Sequence, residues 1–377
     1  MDLADYFQPY SGKIPTDKKH FGAHVVPNKP KQFPDWQRAN AVLFGLTDGE
    51  GKESQVIRDY LYYLAPIANL KEVVDLGDIQ VAQSTSDTIF AVKEVLQTLL
   101  RQNKVIIIIH GSKLITSAIY QSYSNMEQLI NLTVVDELVE FGNAEEELNN
   151  KNYLSKIMLS EHNFLFNFSQ LAHQAHFVGE DQLELIERLN FDHIRLGKLR
   201  ENPAIAEPIF RNTDVSIFNL GSVRMADSPG CLEAGPNGLF GEEYCRLARY
   251  AGISDKISVA GFFEYHADLD YRGVSGHLQA QAIWYFLEGL ANRKNDFPIG
   301  TKEHYTTYKI DTDSGEIIEF LKSDKSDRWW VSVPVPSGKE RRFFRHHLVP
   351  CTYQDYQLAC NQTLPEVWIK TLQKFTI

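Results

Sequence analysis

The residues able to do chemistry are scattered along this chain, and only a few stretches stand out by themselves. His266-Ala267-Asp268-Leu269-Asp270 sets one imidazole and two carboxylates at the close spacing of metal ligands. It reads as a metal site or as a loop of solvated polar groups. Arg341-Arg342-Phe343-Phe344-Arg345-His346-His347 joins cations to aromatic rings. That composition suits a phosphate contact, or a packed and solvated protein face. Trp329-Trp330 offers ring faces that anchor one segment on another or stack a base. His173 and His176 lie in Leu171–Val178, which reads as a segment following a strand, where structural roles suffice. No dinucleotide-binding glycine fingerprint, P-loop, nucleophile elbow or H-E-x-x-H pattern occurs. Cys231, Cys245, Cys351 and Cys360 are widely spaced with no C-x-x-C pair, which argues against a disulfide framework and a cysteine zinc site.

Such groups act only where a fold brings them together, and the apolar pattern predicts that fold. Short apolar runs alternate with longer amphipathic stretches from Ala41 onward. Strands are expected at Ala41–Leu46, Val73–Leu76, Val105–Ile109, Leu132–Val135, Phe164–Phe168, Val215–Leu220 and Val259–Phe263. Several are unbroken β-branched runs, as in parallel strands covered on both faces. Gly276–Arg293 carries Leu278, Ala282, Ile283, Phe286, Leu287 and Leu290 on one helical stripe. Ser84 or Thr85 caps a second helix running to about Arg101. The alternation predicts an α/β fold with a doubly wound, three-layer αβα arrangement. In such sheets ligands bind at the C-terminal ends of the strands, so the chemistry is sought there.

The chain divides into an N-terminal arm (1–38), an α/β core (39–295) and a C-terminal appendage (296–377). The arm is rich in Pro, Lys and aromatics without a period. The appendage holds strand candidates at Tyr305–Ile310, Ile317–Phe320 and Trp329–Val335, a hairpin turn at Asp313-Ser314-Gly315, and a closing helix over Glu366–Phe375. Its large aromatic side chains imply that it packs on the core. Across 377 residues the composition, 43% hydrophobic and 23% charged, is that of a globular protein. The net charge of −11 gives no basic field for nucleic acid or an anionic membrane. The acidic start Met1–Tyr6 lacks the apolar core of a signal peptide, and Val105–Ile109 is too short to cross a bilayer, so a cytoplasmic location is expected.

Several motifs, taken in order, resemble those of the arginase, agmatinase and formimidoylglutamase (ureohydrolase) family. Leu46-Thr47-Asp48, then Val56-Ile57-Arg58-Asp59-Tyr60-Leu61, resembles its early "IR-x-x-L" segment, and Asp75-Leu76-Gly77-Asp78 its "DLGD". Residues 40–293 follow the family's order, and the tail after 296 resembles that of the Bacteroidetes formimidoylglutamase-like branch. The resemblance implies an arginase-like fold with a mostly parallel sheet of about eight strands, plus a small β-rich appendage. It also implies hydrolysis of a C–N bond in a linear amidine by a hydroxide bridging two manganese ions. Such a pair needs several carboxylates and imidazoles converging within a few ångströms.

The same resemblance shows where this chain departs from its pattern. The "G-G-D-H-S" motif falls on His110-Gly111-Ser112-Lys113-Leu114, so its ligand histidine is Lys113. The "D-A-H-x-D" motif falls on Asp136-Glu137-Leu138-Val139-Glu140, keeping Asp136, replacing the histidine by Leu138 and the second aspartate by Glu140. The "S-x-D-x-D" motif falls on Ile217–Gly221, anchored by Pro229-Gly230, and its aspartates become Asn219 and Gly221. The substrate-orienting glutamate matches Glu264. No metal cofactor is therefore expected, although the family uses manganese. The pocket of Lys113, Asp136, Glu140, Asn219 and Glu264 is vestigial, with Lys113 supplying the counter-charge its buried acids need.

The expected function is a ureohydrolase homologue kept as a non-catalytic binding, scaffold or regulatory protein. The alternative is a formimidoylglutamase-like hydrolase with an altered or metal-free site, in which a lysine beside two carboxylates serves as an acid–base set. His110 with Lys113, Asp136 and Glu140 reads as a mononuclear site or as a hydrogen-bonded core histidine. The partner is a protein or a small-molecule ligand, with no nucleic acid and no membrane, and a homo-oligomer as in the family is left open.

Overall fold

Runs such as Val105–Ile108 are apolar on both faces and are satisfied only inside a sheet covered on both sides. The computed structural model, which describes residues 2–48, 51–299, 303–313 and 315–376, contains such a sheet. Its strands are β1 (Phe7–Gln8), β2 (Val25–Pro27), β3 (Ala41–Thr47), β4 (Val73–Gln80), β5 (Val105–Ile108), β6 (Ile130–Val135), β7 (Leu165–His173), β8 (Asp192–Arg195), β9 (Val215–Asn219) and β10 (Val259–Phe263). Eight run parallel in the order β4-β3-β5-β10-β9-β6-β7-β8. Side-chain alternation sends Val105 and Ile107 into one apolar layer and Ile106 and Ile108 into the other, so both faces are dry. Helices cover both. Val274–Ala291 lies on one face, and Thr85–Arg101, capped by the Ser84 hydroxyl accepting from Asp87 N at 3.1 Å, lies on the other.

The differences from the expected elements have local causes. β7 extends through Leu171 to His173, so His173 is on the strand, while the rest of the expected segment, with His176, follows it. β8, with polar Asp192 and His193, has no apolar run and is legible only by its pairing with β7. The aperiodic arm adds two short strands to one edge of β4: β1 antiparallel at Ile79 and Asp78, and β2 parallel at Val73–Asp75. A Cβ at Gly77, whose φ is +86°, would lie 1.9 Å from the Gln8 carbonyl, so a side chain there would displace the arm. Arg58 lies buried beneath and joins two of the early motifs. Its Nε meets Asp75 at 2.7 Å and its Nη1 meets Asp78 at 2.8 Å.

In the appendage β11 (Tyr305–Asp311), β12 (Ile317–Ser323), β13 (Trp329–Ser332) and β14 (Leu348–Cys351) form an antiparallel sheet. β14 and the helix Tyr353–Cys360 add to the expected elements. Ser314 of the expected hairpin turn lies outside the described residues, while Asp311 pairs with Ile317 on either side of it. The appendage packs on the core through specific contacts. Arg211 Nη1 donates to the Trp329 carbonyl at 2.8 Å and Nη2 to the Cys351 carbonyl at 3.0 Å, and its guanidinium sits 4.7 Å over the Trp330 ring. The basic cluster is packed rather than simply solvated: Arg345 meets the buried Asp214 at 2.8 Å and His346 is buried. Phe343 is buried, whereas Phe344 is exposed. Among the described residues no helix is long and apolar enough to cross a membrane.

Trp330 is fully buried beneath Arg211. Trp330→Ala should therefore cost about 3–5 kcal/mol in chemical denaturation, the usual cost of deleting a large core ring. A change below about 1 kcal/mol would mean that this contact does not hold the appendage.

Candidate functional site

Four neighbouring strands, β5, β10, β9 and β6, end at the same level and deliver the chemistry-bearing residues there. After β5 the chain turns through Gly111 and places Lys113 at the start of a short 3₁₀ turn, fully buried. Asp136 follows β6, Asn219 ends β9 and Glu264 follows β10. The Lys113 Nζ lies 2.7 Å from Glu140, 2.6 Å from Glu233 and 3.5 Å from Asp136. Its backbone N–H donates to Glu264 at 2.7 Å. Asn219 Nδ2 donates to Asp136 Oδ2 at 2.6 Å, and the Glu137 backbone N–H to Asp136 Oδ1 at 2.9 Å. One lysine thus gathers Asp136, Glu140, Asn219 and Glu264 around a single point. Leu138 stands half-buried outside these bonds.

The electrostatics follow from one cation among several acids. Burial by itself would strip the proton from Lys113, but the charges of Asp136, Glu140 and Glu233 outweigh it and hold the ammonium above the usual lysine range. Three carboxylates share one positive charge, so Glu140 is raised by burial even with Lys113 opposing the shift. Glu264 is likewise raised by burial, against the bond from Lys113. Its φ of +68° is a left-handed conformation that a non-glycine residue holds only where its surroundings fix it. Asn150 helps, donating to Glu264 at 3.3 Å.

Glu137 is a further buried acid of this centre. Burial, then the adjacent Asp136 charge, push its carboxyl up to about 11, so it keeps its proton at neutral pH. A Cβ at Gly221 would stand 2.5 Å from Glu137 Oε1, so the glutamate occupies the space that a side chain at 221 would need. The sequence carried a signal for Glu137, which fills the alanine position of "D-A-H-x-D" while position 221 has lost its side chain. For Glu233 there was none, because it arrives on a loop and reaches Lys113 only in the folded chain.

His110 does not join the carboxylates. It lines a pocket of about 450 Å³ beside them, with Asp48, Glu53, Glu264, Tyr265 and His266. Burial, then His266 and Arg58, hold its imidazole down to about 3, and its Nδ1 has no partner. The His266–Asp270 stretch is a loop after β10. Asp268 pairs with Lys52, and Asp270 accepts from Tyr265 OH and from the backbone of Ser275 and Gly276, each at 3.0–3.1 Å. His173 Nε2 lies 3.3 Å from His193 Nδ1, away from Lys113. Of the positions Lys113, Asp136, Leu138, Glu140, Asn219 and Gly221, only Asp136 and Glu140 bring carboxylates, and both already face the ammonium.

Two outcomes follow. Lys113→Ala should destabilise the protein by about 3–5 kcal/mol, because it leaves buried carboxylates without a counter-charge. An unchanged denaturation midpoint would contradict that. Glu137 sets the sign of a pH effect. Its carboxyl ionises near 4.5 when unfolded but keeps its proton in the native state to about 11, so between those values the native state binds more protons and stability falls as pH rises. Glu137→Gln should therefore stabilise the protein, more at pH 9 than at pH 5, and a stability difference independent of pH would exclude a neutral Glu137.

No protein-family model and no curated protein sequence matches this chain. Solved structures do. It superposes on a formiminoglutamase from Trypanosoma cruzi, crystallised with manganese, at a TM-score of 0.62 and 17% identity, covering 71% of this chain and 97% of that one. For the formimidoylglutamase from Bacillus subtilis the TM-score is 0.61 at 16% identity, covering 78% and 92%. For proclavaminate amidino hydrolase from Streptomyces clavuligerus it is 0.60 at 17% identity, covering 76% and 99%. The shared mostly parallel sheet, with the small antiparallel sheet beside it, gives this chain an arginase-like fold.

Proposed function

We propose that this chain is a ureohydrolase-like protein that binds or regulates rather than hydrolyses, with the Lys113 ammonium standing in place of the family's manganese pair. The observation that carries this reading is the buried Lys113 Nζ, within 3.5 Å of Asp136, Glu140 and Glu233. Two dications held by a bridging hydroxide need a ring of anionic and imidazole donors. In this chain one of those positions is itself a cation. A second, Asn219, turns an N–H toward Asp136, and a third, Gly221, yields its space to Glu137. That donor set does not fit the metal pair.

The neighbouring pocket of about 450 Å³ has the size of a small-molecule site and suits a ligand bound without being cleaved. One observation favours the alternative, a hydrolase of linear amidines with an altered site. Glu264, a carboxyl raised by burial on a strained backbone, lines that pocket.

Metal analysis of the purified chain, a melting series with manganese and an assay for ammonia, urea or formamide release distinguish these readings. We expect well under one metal per chain, no release, and a melting temperature that manganese leaves unchanged. A metal bound to the native state at a hundred times its Kd would add about 2.7 kcal/mol of stability. A manganese-dependent rise overturns the reading, and so does turnover that Glu264→Gln abolishes.

A further inference from the structure

The last helix, Glu366–Thr376, does more than cover the core. Between it and strands β7 and β8 lies a cavity of about 770 Å³, within the range of small-molecule sites, which favour the seams between packed units. Phe166, Asn167 and Ser169 line it from the N-terminal half of β7, whereas Lys113 sits beyond the C-terminal ends of the strands. Lys370 and Lys374, four residues apart on one helical face, form the opposite wall.

Four carboxylates and three lysines line this cavity, and their pairing leaves one of the lysines without an acid. Asp192 is fully engaged: it meets Lys370 at 3.3 Å and accepts from the Asn167 amide and the Ser169 hydroxyl, each at 3.3 Å. Lys370 also reaches Glu366 at 2.8 Å. Glu187 is held by His193 at 3.1 Å, and Asp355 by the Thr352 backbone N–H at 2.7 Å in a helix cap. Lys198 is exposed. Lys374 has no carboxylate within ion-pair reach among the described residues. Its ammonium donates to the side-chain carbonyl of Asn167 and lies 5.9 and 5.7 Å from the rings of Phe166 and Phe191. His346, its ring tilted over Phe166 with centroids 4.3 Å apart, is buried and held neutral, so it adds no second positive charge beside Lys374. Burial, with Lys370 adding to it and Asp192 opposing, lowers the Lys374 ammonium to about 8. A half-buried cation without an acid partner gains from an anion brought to it.

We propose that this cavity binds a small molecule through a carboxylate or phosphate group, with Lys374 as the anchoring cation and Lys370 beside it. The site joins the core sheet to the appendage, so its ligand would clamp the two together. It does not depend on whether the Lys113 centre is catalytic.

The test is the melting temperature of the full chain in sodium phosphate and, separately, in sodium succinate, with chloride holding the ionic strength constant. At about 20 mM anion, an excess over a millimolar Kd, we expect a rise of about 2–4 °C. The rise should vanish in Lys374→Met and in Lys374→Gln, of which the second retains a polar end should the first fold poorly. Lys370→Gln should reduce it. A response to phosphate alone, or to succinate alone, identifies which oxyanion the site takes. No rise with either anion overturns the proposal, and so does an equal rise in the wild type and both Lys374 variants.

Discussion

A buried carboxylate is tolerated only beside a cation or with its proton retained, and the centre of this protein is built around that rule. Parallel strands end together and bring Asp136, Glu140 and Glu264 to one buried point, which the half-buried Glu233 reaches from a loop. Lys113 supplies the positive charge. It reaches three of these acids with its ammonium and the fourth with its backbone N–H, so one side chain ties β5, β6 and β10 and the loop that carries Glu233. Where that charge does not suffice, the structure uses the other solution: Glu137 keeps its proton, and Asn219 offers Asp136 an amide instead of a second negative charge.

These residues depend on one another. Glycine at 221 leaves a space that the Glu137 carboxyl fills, so a side chain there would have to move that carboxyl. Amide at 219 suits an Asp136 whose only cation among the described residues is a lysine 3.5 Å away. Changing one of these positions alone would therefore disturb the packing or the charge balance of the others. On the opposite flank the sheet solves the same problem with Arg58, whose rigid fork satisfies Asp75 and Asp78 at once and fixes the edge on which the arm is laid.

The appendage extends the core by the same physics. Phe166, at the start of β7, meets Phe343 and Phe375 at 5.7 Å, so one apolar cluster joins the start of this strand to the tail. Arg211 and Arg345 then close the polar positions at the seam by reaching carbonyls and the buried Asp214. Lys374 stands apart in this seam, as a cation without a carboxylate partner among the described residues.

The sequence by itself determined the layers. Unbroken β-branched runs such as Val105–Ile108 require burial on both faces, and the stripe Leu278–Leu290 requires a helix to cover one of them, so strand and helix followed from local period. It also identified Lys113, Asp136, Glu140, Asn219, Gly221 and Glu264 as residues of one centre, because motif order fixes which strand end each occupies. β8 was not legible, since Asp192 and His193 have no apolar pattern and become strand only by pairing with β7. Nor were the contacts that decide the chemistry. The closing of Glu233 on Lys113 and the seating of Glu137 against Gly221 join residues far apart in the chain. Charge pairing and excluded volume act through space at a few ångströms, and only the tertiary structure sets those distances.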